Sequence, residues 1–485
     1  MIAIMYDGLE LGKFVNNNGK LELKLNNGVK QTWLPYIFDI GMDAGTDMNI
    51  VIKAWIKERV FPKNRFGSRK MLKELGLKKY DVEKIAEATR CSLVTDPYWM
   101  VYEETDTYNE KSVRGQIGME YYPYNSIGVI TEQDENKYIW RVNKEKVSST
   151  KEQNYDEENI IEWKDKKLVM HDFVKSHANG GRLEKFWVED IKTGRQFLIK
   201  GSSYFSYEPY CEKMAYIIGR ALGIDVLEYD ILSAKQFKGI NALSPFCKHV
   251  SICEKIDRVG YSITSVAEIK RAKNVVKRPE DKAITNKEVM YELLEQKYIE
   301  TMLFFDAIIG NVDRHYGNVH LLRDLDGNFI GAPILDNGAS LLAQASIFGE
   351  MFYDIKIGEH YNMSCTIANT HEKQIKTIEK LKNINFNIPA KTIEIVHDIQ
   401  PVLNEMPRFK GRIIKKYIVY RLHKYLGMLK RGSQYNSVKL KPVTGSEIKK
   451  EKEHTWYFYN QVLLLFYQFT VSNMIIGIFN LLVIG

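Results

Sequence analysis

Two aspartates and an asparagine in this chain have the types and spacing to do chemistry together. Asp313, Asn318 and Asp336 lie in the stretch Asn311 to Gly338, NVDRHYGNVHLLRDLDGNFIGAPILDNG. Oxygen ligands of this kind suit Mg²⁺, which takes one or two carboxylates from a protein and keeps its other positions for phosphate and water. Phosphoryl transfer from ATP asks for little more: metal across the phosphates, a cation against them, and a carboxylate beside the attacking hydroxyl. A loop can present Asp313 to an acceptor hydroxyl and, five residues on, the amide oxygen of Asn318 to Mg²⁺. Asp336 is then the second metal ligand. It follows the apolar run Ala332-Pro333-Ile334-Leu335 and precedes Asn337-Gly338, where a buried strand ends in a turn. Arg314 and His315 are expected to brace the loop, because an imidazole is not needed as base when Asp313 serves. Each residue taken singly also fits an ordinary turn with local hydrogen bonds; the joint arrangement favours phosphoryl transfer.

Positioning these groups requires particular elements. Asp326-Gly327-Asn328 is a hairpin turn between strands at Val319 to Leu322 and Phe329 to Ile330, so one hairpin links the two metal sites. A phosphate-binding lysine is expected at the end of a strand, and Lys200 closes Gln196-Phe197-Leu198-Ile199-Lys200. An acid on the next helix must orient it. Glu208 and Glu212 are both available, four apart on one face, and Glu212 is preferred because Glu208 precedes Pro209. Gly180 and Gly181, within Asn179 to Arg182, are the candidate loop over the phosphates, where missing side chains let backbone N–H groups approach. Lys185 could assist. Strands at Phe186 to Ile191 and Arg195 to Lys200, a helix from Pro209 to Gly223 and a strand at Val226 to Leu232 follow. Lys287 to Ile309 reads as one long helical stretch leading into the loop, with more helix at Gln374 to Lys382, Lys391 to Leu403 and Gly411 to Lys430.

The chain has 485 residues, 45% hydrophobic and 27% charged, with a formal net charge of +8. That is ordinary for a globular protein of several domains. The mild positive balance fits a nucleotide, an acidic partner, nucleic acid or a membrane surface and selects none of them. Ten Lys or Arg fall in Lys53 to Lys79, which reads as a solvated helix face more readily than as a nucleic-acid patch. Lys70 to Thr89 suggests two short helices around Gly76, a loose likeness to a helix-turn-helix. The five cysteines have no zinc-site spacing and read as reduced thiols in a cytoplasmic protein. From Thr455 to Gly485 there is no charged residue, and Val462 to Ile484 is long enough for one membrane-spanning helix, although Gln468, Ser472, Asn473 and Asn480 count against it. A membrane anchor, a buried helix and an extension belonging to no fold all stay open for this tail.

The ordered set FLIK, EPYCEKMAYIIGRALGI, GNVDRHYGN and ILDNG resembles the HipA family of bacterial serine/threonine kinases over roughly residues 168 to 430. The resemblance implies an α+β, bilobal protein-kinase-like fold, with a small mixed N-lobe and a mainly helical C-lobe, preceded by an α+β N-terminal domain. It implies ATP and Mg²⁺ as cofactors, Asp313 as catalytic base, Asn318 and Asp336 on Mg²⁺, Lys200 on the ATP phosphates and a glycine loop at Asn179 to Lys185 closing over them. Ser176 is the nearest match to a loop serine that some members phosphorylate. The boundaries expected are 1–130 for the N-terminal domain, 131–166 for a charged linker, 167–432 for the kinase domain with its lobes meeting at about 235, 433–455 for a polar linker and 456–485 for the tail. D-R-H-x-x-N is also similar to the catalytic loop of phosphoinositide kinases, so a lipid acceptor is the alternative to a protein substrate. The N-terminal segment WIKERVFPKNRFGSRKMLKELGL resembles longer HipA-like proteins of Gram-positive bacteria and departs from the toxin-type members. An asparagine in D-N-G, where protein kinases have D-F-G, and the basic helices near Lys53 to Lys79 leave room for a nucleotide-binding regulator with a regulatory partner, or a DNA-associated module, that retains the fold without turnover. A phosphohydrolase with Asp313, His315 and Asp336 as metal ligands is a third reading.

Overall fold

The computed structural model describes residues 2–65, 68–116, 160–170, 185–202, 207–233, 249–256, 261–278, 280–343, 368, 370–379, 381 and 388–431. Gly180, Gly181, Ser176, the polar stretch 433–455 and the apolar segment 456–485 lie outside them. Among the described residues, three antiparallel sheets and their flanking helices make an α+β fold.

The first sheet has the order β3-β2-β1-β4, with β1 Ala3–Tyr6, β2 Leu9–Asn17, β3 Lys20–Leu25 and β4 Tyr98–Val101. Asn18 and Gly19 both have positive φ, at 51° and 84°, the conformation that lets a two-residue hairpin follow the strand twist. The helices Tyr36–Asp43 and Met48–Arg59 cover this sheet, with Phe38 and Trp55 edge to face at 5.4 Å. Two short helices, Ser68–Glu74 and Val82–Ala88, follow, with Gly76 in the left-handed region between them. Eight of the ten basic residues from Lys53 to Lys79 are exposed, as a solvated face requires. Arg59 and Arg65 are buried instead. Arg59 makes a bidentate pair with Asp96 at 2.7 Å, so it belongs to the core of this unit.

The second sheet has the order β5-β6-β7-β8-β10-β9. Its strands are β5 Ile160–Trp163, β6 Lys166–Met170, β7 Lys185–Asp190, β8 Gln196–Lys200, β9 Tyr229–Ser233 and β10 His249–Glu254. The charged stretch 131–166 ends in a hairpin that pairs with β7, because Ile161 and Leu168 bury against Val188 and Phe197. A division at about 235 would cut the sheet, since β10 lies beyond it and pairs on both sides with β8 and β9. The strand expected from Val226 also starts later; Val226 itself makes a single parallel bridge to Ile334.

Between β8 and β9 runs the helix Glu208–Leu222, with Pro209 in its first turn and Gly223 at φ 68° closing it, as proline and glycine preferences dictate. Its buried face joins the large core formed by the helices Gln296–Ile309, Ile388–Asn404 and Arg408–Arg431. Lys287 to Ile309 is not one helix. Thr285 and Glu288 form a capping box for Asn286–Leu293, and Leu294 and Glu295 adopt extended ψ angles before Gln296–Ile309 begins. No helix among the described residues is long and apolar enough to cross a membrane.

The third sheet is β11 Ser262–Ser265, β12 His320–Arg323 and β13 Phe329–Gly331, in that order. The predicted β12–β13 turn is present, with Gly327 at φ 91°. The N-terminal unit grips this hairpin. Arg323 donates to the carbonyls of Thr32 at 2.9 Å and Leu34 at 2.7 Å and ion-pairs with Asp39. Thr32 Oγ1 donates to Leu325 O at 2.6 Å. Removing Arg323 takes the ion pair from the partly buried Asp39 carboxylate, which keeps its bond from Gln31, and strips the carbonyls of Thr32 and Leu34 of that donor. Arg323→Ala is therefore expected to destabilise the fold by about 3–5 kcal/mol in urea unfolding, whereas Lys30→Ala, which breaks only the exposed pair with Asp326, should change stability by less than about 1 kcal/mol.

His371, in the helix His371–Lys376, is buried, and neither ring nitrogen has a hydrogen-bond partner among the described residues. Burial, with Arg421 and Lys424 nearby, holds its pKa well below the ordinary 6.5. The unfolded chain then binds a proton that the folded chain refuses, so stability should be full above about 6.5 and fall as pH drops below it. His371→Leu should flatten that decline when urea midpoints at acid and neutral pH are compared.

Candidate active site

Lys200 and Glu212 meet because β8 ends where the following helix presents its buried face. Lys200 Nζ donates to Glu212 Oε1 at 3.1 Å and also ion-pairs with Asp336. Glu212 is fully buried and Lys200 nearly so. Three residues that lie 12 and 136 positions from one another in sequence thus share one cluster.

The loop from Asn311 to Asn318 is built around Arg314, which is 1% exposed. Its guanidinium donates from Nε and Nη2 to Asp306, each at 3.1 Å. Nη1 donates to Asn318 O at 2.9 Å and to Leu335 O at 2.6 Å. Nη2 reaches Asn337 Oδ1 at 2.6 Å as well. One side chain therefore ties the Asn318 backbone to the backbone just before Asp336. Asp313 is set within the loop by its own N–H, which donates to Asn311 Oδ1 at 3.0 Å, and by its carbonyl, which accepts from Asn318 Nδ2 at 2.9 Å. That last bond uses the amide nitrogen of Asn318, and the amide oxygen is the side chain's acceptor atom. His315 is exposed, and its Nδ1 accepts from Gly317 N at 3.0 Å, capping the short turn Tyr316–Asn318. Arg314 and His315 both hold the loop through these bonds, Arg314 with most of them.

Asp336 sits at φ 60°, in the left-handed region that a non-glycine residue enters only when its surroundings impose it. They do so on both sides. Ile334 is hydrogen-bonded to Asp225 O and Leu227 N, Leu335 O accepts from Arg314, and Asn337 N donates to Glu212 Oε2 at 2.8 Å. The carboxylate is thereby turned toward Lys200.

Charge within the cluster follows from these contacts. Burial alone would raise the Asp336 carboxyl, but Lys200 and Lys185 outweigh it and hold it well below the usual carboxylate range. Burial would lower the Lys200 ammonium, but Asp336 and Glu212 keep it raised. Glu212 goes up, because its burial outweighs Lys200. Lys185 lies directly opposite Lys200 in the β7–β8 register. Burial pushes its pKa down to about 8, Asp336 opposes that, and Lys200 and Arg65 add to it. Two amines on adjacent strands thus flank one carboxylate.

Sequence reading overlooked Asp306, Asn311 and Asn337, all fully buried. Asp306, which interrupts the apolar run Met302 to Gly310, and Asn311, which closes it, could have been suspected; nothing local marks Asn337 as more than a turn residue. It also overlooked His320, whose Nδ1 is buried without a hydrogen-bond partner among the described residues. Among the described residues, no three His, Cys, Asp or Glu side chains are gathered to hold a metal. Asp313, His315 and Asp336 are not gathered as one such group.

No protein-family model matches the chain, and no curated protein matches it. Among solved structures, the chain is similar to the Helicobacter pylori proinflammatory kinase CtkA, with 18% identity and a TM-score of 0.34 over 52% of this chain and 90% of that one. It is also similar to a Shewanella oneidensis MR-1 complex of the toxin–antitoxin proteins HipA and HipB with operator DNA, with 13% identity and a TM-score of 0.47 over 90% of this chain and 100% of that one. At these values neither likeness decides the chemistry, which rests on the side chains.

The Asp306–Arg314 pair can be tested directly. Asp306→Ala strands a buried guanidinium and is expected to lower unfolding free energy by about 3–5 kcal/mol, read by urea denaturation, with Glu300→Gln as a buried comparison outside the cluster.

Proposed function

We propose that the chain is an ATP-dependent phosphotransferase of the HipA-like serine/threonine kinase type, with a bilobal arrangement in which the β5–β10 sheet and the Glu208–Leu222 helix form the small lobe. The observation that carries this reading is the Glu212–Lys200–Asp336 cluster beside the Arg314-braced loop. Such a cluster needs a lysine at a strand end, an acid on the following helix and an aspartate after a hairpin, and it has no evident use in an ordinary core.

Roles follow from position. Lys200 contacts the phosphates of ATP, and Glu212 keeps its ammonium charged and aimed. Lys185 adds a second cation from the neighbouring strand. The oxygen donors present fit Mg²⁺, with Asn318 Oδ1 and the Asp336 carboxylate as its protein ligands. Bound there, the ion would neutralise phosphate charge. Asp313 accepts the proton of the acceptor hydroxyl as that oxygen attacks the γ-phosphorus and the bond to the β-phosphate oxygen breaks, releasing ADP. The acceptor is a serine or threonine of a protein substrate, with a phosphoinositide as the alternative.

Labelled ATP with Mg²⁺ and a cell lysate tests the reading. Protein-bound label is expected, and Asp313→Ala should cut its rate on the order of 10²–10⁴-fold, the usual contribution of a positioned base, while ATP binding holds. Transfer that survives Asp313→Ala unchanged would overturn the assignment, and label in lipid alone would move the acceptor to a phosphoinositide.

A further inference from the structure

Asn337 stands where protein kinases carry the phenylalanine of D-F-G, and its surroundings explain an amide there. The side chain is fully buried. Its Oδ1 accepts from Arg314 Nη2 at 2.6 Å, and its Nδ2 faces Ile334 O at 3.5 Å. Its main-chain N–H donates to Glu212 Oε2 at 2.8 Å, and the other oxygen of Glu212 accepts from Lys200 at 3.1 Å. On the far side, Arg314 binds Asn318 O and Asp306, and Asp306 accepts from Asn311 Nδ2 at 3.1 Å. Asn311 in turn accepts from the N–H of Asp313. The hydrogen bonds are continuous from the lysine on β8 to the backbone of the loop, and Asn337 is where they cross between the two. An apolar residue of the same size would end the chain there; among side chains of this volume only the amide offers an acceptor to Arg314 and a donor to Ile334.

We propose that Asn337 is a positioning residue that couples the Glu212–Lys200 pair to the loop bearing Asp313 and Asn318, so that D-N-G in this chain belongs to a working site assembled by a polar link. This rests on the phosphotransferase reading for its kinetic consequence, but the link itself is a property of the fold. It bears on the regulator alternative, because the asparagine then serves turnover.

The test compares Asn337→Leu, Asn337→Asp, Arg314→Lys and the double variant Asn337→Leu/Arg314→Lys, using labelled ATP with Mg²⁺. Asn337→Leu is expected to lower kcat on the order of 10²-fold, the scale of a small misplacement of catalytic groups, with KM for ATP nearly unchanged. Asn337→Asp, which keeps the acceptor for Arg314, should recover about tenfold of that loss. The double variant should be no slower than the worse single one, since both act through the same link. Hydrogen exchange of the peptide spanning Asp313 to Asn318 should quicken in Asn337→Leu while β1–β2 peptides stay unchanged. Wild-type kcat in Asn337→Leu, losses that multiply in the double variant, or unaltered exchange in the loop would each overturn the proposal. A wild-type protein that binds ATP but transfers nothing would end the kinase reading, and loop exchange would still decide the link. If Asn337→Leu does not fold, Asn337→Asp and Arg314→Lys carry the same comparison of kcat and exchange.

Discussion

Sealing a guanidinium from water is costly unless its charge and its N–H bonds are answered from inside the protein. Arg314 meets that demand with Asp306, Asn318 O, Leu335 O and Asn337 Oδ1. Each acceptor comes from a different stretch: the end of a buried helix, the turn before β12, the extended segment just before Asp336, and the residue just after it. Because the acceptors must converge, those stretches have little freedom to settle elsewhere. Such an ion pair adds little net stability over an apolar replacement, but it is a strict specifier of geometry. The placement of Asp313, Asn318 and Asp336 depends on that strictness.

A second constraint acts on the β12–β13 hairpin from outside. The hairpin starts two residues after Asn318 and ends five residues before Asp336, so any shift in it would move both. Arg323, answered by Thr32, Leu34 and Asp39, locks it to the N-terminal unit. Val275 and Val276 of the Val266–Val276 helix, together with Leu325, pack on the same apolar core as Phe38 and Trp55. The N-terminal unit is thus part of what positions the candidate site, a role its basic helices did not suggest.

The extent to which the site could be read in advance differs by residue. Lys200 and Glu212 were legible because strand end and helix start have local signals: the run QFLIK, Pro209 at the helix entry, Gly223 at its exit. The hairpin was legible from Asp326-Gly327-Asn328. The division of Lys287 to Ile309 into two helices was not, since an apolar pattern that runs through the break hides it and only the capping box at Thr285 betrays a helix start. The β5–β6 hairpin was hidden by its composition, because Lys164 to Lys167 gives it the look of a solvated linker. Lys185 was seen, but not its partner, because which residue lies across from Lys200 is set by strand register.

By itself, then, the amino-acid sequence determined which residue types stand at which intervals: the D-R-H-x-x-N loop, the aspartate ahead of a turn, the lysine at a strand end and the acid one helix later. These depend on short-range preferences for turns, caps and periodicity, which act over a few residues. Only the tertiary structure decided that Asp306, Asn311 and Asn337 join them, that Lys185 faces Lys200, and that Asp336 takes a left-handed backbone. Those outcomes depend on desolvation: a polar group removed from water must find a partner wherever the fold supplies one, and nothing in its own neighbourhood of sequence says where that will be.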